Sequence, residues 1–292
     1  MSLKLPKPVE GALRQVASEL EGLLQGISMP SRLKESTMHY LLHRGKMIRP
    51  MLALYTAYML SNDPTPAIYP AVSIELLHVA SLLQDDIIDG HVVRRGVETP
   101  FKRFGTEYAM LASDMLIAKA VEYALKAKTK SVALELTNAA LRLTIGQSYE
   151  LEYRLSGEIS LDRYLKIVEN KTASLISSSM VVGGYVSDAD DQLIARLRRL
   201  GRILGVAYQI RDDLIDYLKL DEENPQGLRS VDVNIVDVLK ADGSEEPIID
   251  AVKILEKYLN EARVEAQALN WGLLNEFVEY LGDVVRLVKE KE

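Results

Sequence analysis

Two stretches of the chain carry the same arrangement of carboxylates: Gln84-Asp85-Asp86-Ile87-Ile88-Asp89 and, 127 positions later, Arg211-Asp212-Asp213-Leu214-Ile215-Asp216. On a helix, residues i and i+4 are offset by about 40° in azimuth and about 6 Å in rise, so Asp85 shares a face with Asp89 and Asp212 with Asp216. Like charges held this way repel. Each cluster also follows a largely apolar run, 76–83 and 203–210, where an unpaired carboxylate is costly to desolvate. Something cationic should neutralise them. Mg²⁺ suits the pattern, because it is a hard ion that takes a few carboxylates, keeps several waters and bridges to phosphate oxygens. Ca²⁺ suits it less: an EF-hand spreads its oxygens along a loop of about 12 residues with a central glycine, and neither cluster has that spacing. A third acidic group, Asp188, Asp190 and Asp191, precedes an apolar stripe starting at Leu193 and reads as charge favourable to a helix N-terminus.

Basic residues near breaks in the pattern would suit phosphate recognition. Lys46 and Arg49 in Arg44-Gly45-Lys46-Met47-Ile48-Arg49-Pro50 lie on one side of the chain if that turn is helical. Arg94 and Arg95 follow the first carboxylate cluster by five residues, close enough to fold back toward it. Arginine grips a phosphate bidentately, and lysine serves as a point charge. His78 stands seven residues, two helical turns, before Asp85. Lys171-Thr172 interrupts an apolar helical run over 164–186, and Gln209 sits about one turn before Asp212. Buried polar groups of this kind need partners, and a bound anion is one possibility.

The elements that must position these residues read as helices. Apolar residues recur at helical spacing, as in Leu193, Leu197, Leu200, Leu204 and again in Val252, Leu255, Leu259. Turn chemistry breaks the pattern at 62–66, 221–227 and 242–244, and none of these breaks has the length or polarity of a domain linker. An all-α, single-domain architecture over 1–292 is expected. The composition agrees: 48% of the 292 residues are apolar, with only 17 glycines and 10 prolines, which favours long elements over a turn-rich β fold. The absence of cysteine excludes disulfides, thiolate metal sites and cysteine nucleophiles. A net charge of -7 argues against a broad basic face for nucleic acid. No apolar leader is visible at the N-terminus, and the longest uncharged stretch, 172–187, is too short and polar to span a bilayer, so no transmembrane segment and a cytoplasmic location are expected.

Taken in order, the motifs resemble those of the trans-type polyprenyl synthetases, the isoprenyl diphosphate synthases that include farnesyl and geranylgeranyl diphosphate synthases. The motifs are Gly45-Lys46-x-x-Arg49-Pro50, Glu75-x-x-His78-x-x-Ser81-Leu82-x-x-Asp85-Asp86-x-x-Asp89, Arg94-Arg95-Gly96, Gly146-Gln147-x-x-Glu150, Lys171-Thr172 and Tyr208-Gln209-x-x-Asp212-Asp213-x-x-Asp216. The resemblance implies an isoprenoid-synthase helical bundle around a central cleft, usually a homodimer, with both aspartate-rich helices facing that cleft. It implies three Mg²⁺ ions, ligated by Asp85, Asp89 and Asp212, with Asp86, Asp213 and Asp216 ligating or holding the surrounding shell. Arg94, Lys171, Thr172 and Gln209 would bind the diphosphate of the allylic substrate. Lys46, Arg49, His78 and Arg95 would bind that of isopentenyl diphosphate. The implied reaction is ionisation of the allylic diphosphate followed by attack of the isopentenyl double bond.

The resemblance also implies a ruler for product length on the helix before Asp85. Bulky aromatics four or five positions before that aspartate stop the product short in the family, and here Ser81 and Ala80 stand there. Leu77 and Ile74, about 12 and 16 Å down the helix, would form a partial floor, so a product of C20 to C30 is expected. The chain departs from the pattern after the second cluster, where 225–235 lacks the usual lysine and Arg229 is the candidate substitute. Met47 and Glu150 stand where the family commonly has Arg and Asp. A terpene cyclase would need only one such aspartate motif and no Lys46, Arg49 or Arg95. A silent partner subunit would have no evident reason to keep two costly carboxylate clusters.

Overall fold

The computed structural model describes residues 4–218 and 233–289. Helices dominate: α1 (Lys7–Glu21), α2 (Ser31–Leu42), α3 (Ile48–Ser61), α4 (Ile68–Asp89), α5 (Pro100–Phe104), α6 (Thr106–Ala124), α7 (Lys130–Ser156), α8 (Leu161–Val168), α9 (Ser174–Val186), α10 (Asp191–Tyr217), α11 (Ile235–Ala241), α12 (Pro247–Leu269) and α13 (Gly272–Lys289). The all-α expectation holds, with one small addition: β1 (Val93–Arg94) and β2 (Val97–Glu98) pair antiparallel as a two-stranded ribbon. The break at 221–227 and Arg229 lie outside the described residues.

The chain forms two compact units, Pro6–Ala140 with Ser178–Ile194, and Met1–Leu5 with Leu141–Ser177 and Ala195–Glu292. The first is built on α4 against α6. Helix α4 is apolar nearly all round and buried from Pro70 to Leu77, as expected of a core helix. Small residues, Ala71 and Ala80 on α4 and Ala109, Ala112 and Ala120 on α6, are buried in this unit. Two serines tie the helices at points seven residues apart: Ser73 Oγ donates to the Ala120 carbonyl at 2.7 Å, and Ser113 Oγ donates to the Ala80 carbonyl at 3.2 Å. By length and composition the stretch 65–89 could cross a membrane, unlike the 172–187 run singled out in the sequence, but 78% of its apolar window is buried inside the protein.

In the second unit, α10 presents glycines where another backbone passes. A Cβ on Gly205 would lie 2.4 Å from Ala173 Cα, and one on Gly201 would lie 2.4 Å from Ser177 Cα. Leu197, Leu200 and Leu204 of the expected stripe are fully buried. The run expected as one helix over 164–186 is divided: α8 and α9 are joined by a π-helical turn, Glu169–Ala173, which contains Lys171 and Thr172. Such turns widen the helix by one residue and re-aim its side chains.

Candidate active site

The first aspartate cluster closes α4. Asp86 is its buried member, with a side chain 1% exposed. Tyr40 on α2 donates its hydroxyl to Oδ2 at 2.5 Å, and Arg94 donates Nε to Oδ1 at 2.8 Å. Burial and the neighbouring carboxylate push the Tyr40 hydroxyl well above its usual range, so it remains a donor. Asp85 and Asp89, one turn apart, are partly exposed. The chain leaves α4 through Gly90 at positive φ and makes the β ribbon, whose two turn residues, Arg95 and Gly96, also have positive φ (52° and 74°). Turns of that kind match the twist of a tight hairpin, and this one brings Arg94 back to Asp86.

The other basic residues of this unit gather around the start of α3. Arg49 Nη1 lies 3.3 Å from His78 Nε2. Burial, with Arg49, Arg95 and Arg94 nearby, holds the His78 imidazole well below its ordinary pKa, so the ring is neutral at pH 7. Arg95 packs its guanidinium on Gly45, where a Cβ would come within 2.8 Å, and Lys46 next to it is exposed. Glu75, one turn before His78, is 3% exposed, and burial raises its pKa against the pull of Arg49, Arg95 and Arg44.

The second cluster closes α10 and repeats the first one's logic. Asp213 is buried, and its Oδ2 accepts from the Tyr164 hydroxyl at 2.8 Å and from the Ile235 backbone N–H at 2.9 Å. Its Oδ1 accepts from Gln209 Nε2 at 2.8 Å, and Gln209 Oε1 accepts in turn from Thr172 Oγ1 at 2.7 Å. Burial pushes the Asp213 carboxyl up to about 7 although these donors oppose it. Asp212 pairs with Arg211 at 3.1 Å, Arg211 lies over the Tyr280 ring, and Asp216 is exposed. Lys171 Nζ meets the buried Glu150 at 2.6 Å.

Among the described residues no three carboxylates or histidines converge as a ready-made metal cage. An ion that binds one or two carboxylates and fills its shell with water and phosphate oxygens fits the oxygen-only pairs Asp85 with Asp89 and Asp212 with Asp216.

A family model described as polyprenyl synthetase matches residues 30–228, more than half of the chain. The chain belongs to the polyprenyl synthetase family. Among its relatives, a short chain isoprenyl diphosphate synthase of Methanothermobacter thermautotrophicus is 29% identical over 288 residues, covering 90% of this chain and 84% of that one. A geranylfarnesyl diphosphate synthase of Methanosarcina mazei is 31% identical over 76% of this chain and 75% of its own. The fold is similar to that of a geranylgeranyl pyrophosphate synthetase from Geoglobus acetivorans, with a TM-score of 0.81, 24% identity and coverage of 96% and 99%.

Within this polyprenyl synthetase, the structure joins Arg94 to the first cluster and Gln209 with Thr172 to the second, and it sets Arg49 on His78. Lys171 is joined to Glu150 on α7. Along α4, Ile74, Leu77 and Ala80 are buried, while Ser81 is partly exposed and donates Oγ to the His78 carbonyl at 2.8 Å. Tyr40 and Tyr164 were not legible as site residues. Each is a single tyrosine on an amphipathic helix, far in sequence from the aspartate it holds, and only its polar tip hints at a buried partner.

Proposed function

We propose that this polyprenyl synthetase condenses isopentenyl diphosphate head-to-tail with an allylic diphosphate, giving a trans-polyprenyl diphosphate of C20 to C30. The observation that carries the reading is the repeated design of the clusters: one buried aspartate saturated by protein donors, flanked by partly exposed or exposed carboxylates one turn apart. Asp85, Asp89 and Asp212 would hold Mg²⁺, three ions in all, with Asp216 supporting them. The metal supplies charge neutralisation that makes diphosphate a better leaving group.

Arg94, Lys171, Thr172 and Gln209 bind and orient the allylic diphosphate. Lys46, Arg49, His78 and Arg95 bind that of isopentenyl diphosphate, the neutral His78 as a hydrogen-bonding group and the three others as charges. With both ends held, the C–O bond breaks and its electron pair leaves with the diphosphate. The isopentenyl double bond then supplies the pair for the new C–C bond, and a proton is lost to the departing diphosphate. No side-chain general base is required. Ser81 and Ala80 leave room for a growing chain, and Leu77 and Ile74 form a partial floor further along α4. That one relative is a geranylfarnesyl diphosphate synthase supports a product above C15.

The whole chain acts as one catalytic unit, cytoplasmic and homodimeric. Exposed apolar residues support the dimer: Leu111, Val121 and Leu125 on α6, and Leu134 and Leu141 on α7, are each about half or more exposed. The experiment is incubation with isopentenyl diphosphate, primers of C5 to C20 and Mg²⁺, followed by sizing of the products. Linear products of C20 or longer are expected; cyclised hydrocarbon, or no product from any primer, overturns the reading.

A further inference from the structure

We propose that Tyr40 and Tyr164 are positioning residues for the allylic diphosphate, each acting through the middle aspartate of a cluster: Tyr40 through Asp86 on Arg94, and Tyr164 through Asp213 on Gln209. The proposal rests on the elongation reading above and adds to it two residues that lie outside every motif of the sequence.

Both units place a tyrosine hydroxyl and a phosphate-binding side chain on opposite oxygens of the middle aspartate, and the second adds the Ile235 N–H beside its tyrosine. In the first, the Tyr40 hydroxyl occupies one oxygen of Asp86 and Arg94 Nε the other, so the carboxylate has no oxygen without a protein donor. Because the bond is made by Nε, the terminal nitrogens of Arg94 are not spent on Asp86; Nη2 makes a long contact of 3.5 Å with His91 Nδ1, and the pair forms the fork that grips a phosphate. In the second, a carboxylate can only accept, so the group that Gln209 turns to Asp213 must be its amide nitrogen. Its oxygen therefore faces Thr172, which donates to it. One Nε2–H of Gln209 is used by Asp213, and the other is the donor left for an anion. The middle aspartates thus orient phosphate-binding side chains instead of meeting the metal themselves, and the tyrosines fix the aspartates.

Removing the Tyr40 hydroxyl leaves the buried Asp86 Oδ2 without its donor, and removing that of Tyr164 leaves Asp213 Oδ2 held by the Ile235 N–H alone. Arg94 can then turn its terminal nitrogens onto Asp86, and in the second unit the Asp213 carboxylate can rotate away from Gln209. Either change withdraws a donor from the diphosphate without touching the isopentenyl site. A tyrosine that only supported the fold would lower stability and leave diphosphate affinity alone.

The test uses the full-length protein, Tyr40→Phe and Tyr164→Phe. Calorimetry with inorganic pyrophosphate and Mg²⁺ reads diphosphate affinity without turnover, steady-state kinetics separates the KM of each substrate, and thermal melts report the fold. Each variant is expected to raise the pyrophosphate Kd and the allylic KM by about tenfold, as outer partners of ligand-holding side chains commonly do, with the isopentenyl KM unchanged. Unchanged Kd and allylic KM in a folded variant, or an equal rise in both KM values, overturns the proposal. Should one variant fail to fold, the other, in a separate unit of the chain, decides it by the same readouts. A wild-type protein that elongates while the variants bind normally sinks this proposal alone; one that neither elongates nor binds Mg-pyrophosphate removes the elongation reading and this proposal with it.

Discussion

Lys171 and Glu150 form an ion pair, Nζ to Oε2 at 2.6 Å, at a point where Gly146 lets α7 touch the π-helical turn that carries the lysine. A Cβ on Gly146 would lie 2.7 Å from the Lys171 nitrogen, closer than real contacts allow. The glycine one turn before Glu150 and the widened helix at Lys171 are therefore parts of one joint, which sets how far the lysine reaches.

Gly146→Val should separate the two backbones, costing about 1–3 kcal/mol in urea unfolding, as overpacking does. It should also raise the allylic KM, since Lys171 moves with its turn. A variant with wild-type midpoint and KM would show that the close approach is incidental.

The outer and middle aspartates should separate experimentally. Asp85→Ala is expected to abolish most turnover, by about 100-fold or more, while the melting temperature stays near wild type, because this carboxylate is partly exposed. Asp86→Ala strands the buried Tyr40 hydroxyl and leaves the partly exposed Arg94 without its carboxylate, and should cost about 1–3 kcal/mol as well as activity. Melts of the purified variants check this, and equal stability of the two would contradict the division of roles.

Ser81→Phe fills the position one turn before Asp85 with an aromatic ring. Products should shift from C20 or longer toward C15, read by chromatography of the dephosphorylated alcohols. An unchanged distribution would place the elongating chain elsewhere.

Acid sensitivity should trace to two histidines. Burial lowers the pKa of His39, whose Nε2 lies 2.8 Å from the Glu98 carbonyl, and lowers that of His78 further. In the unfolded chain both titrate near 6.5. Above that pH neither state is charged and their contribution to stability is complete. As pH falls below it, the unfolded chain binds protons that the folded one refuses, and stability drops by up to about 1.4 kcal/mol per pH unit for each histidine until the folded values are reached. Urea midpoints at pH 7.5 and 5.5 should differ less in a His39→Gln, His78→Gln double variant than in wild type; an identical drop would assign the effect to other groups.

Much of this protein is local in origin and so was open to reading from its residues. Helical spacing of Leu197, Leu200 and Leu204 marked α10, and the i, i+4 spacing of Asp85 with Asp89 and Asp212 with Asp216 marked the acidic faces, because both depend only on the 3.6-residue turn. Order and spacing of short motifs carried the family for the same reason. What tertiary structure alone decided is which member of each Asp-Asp pair is buried. Asp85 and Asp86 are neighbours with the same side chain, yet azimuth about the helix turns one toward Tyr40 and leaves the other partly exposed. That choice depends on helices 46 and 49 residues away in sequence supplying a hydroxyl at hydrogen-bonding distance, and no periodicity within either cluster encodes it. The π-helical turn belongs with it, a local distortion held in place by a partner more than twenty residues away, Gly146 with Glu150 for Lys171.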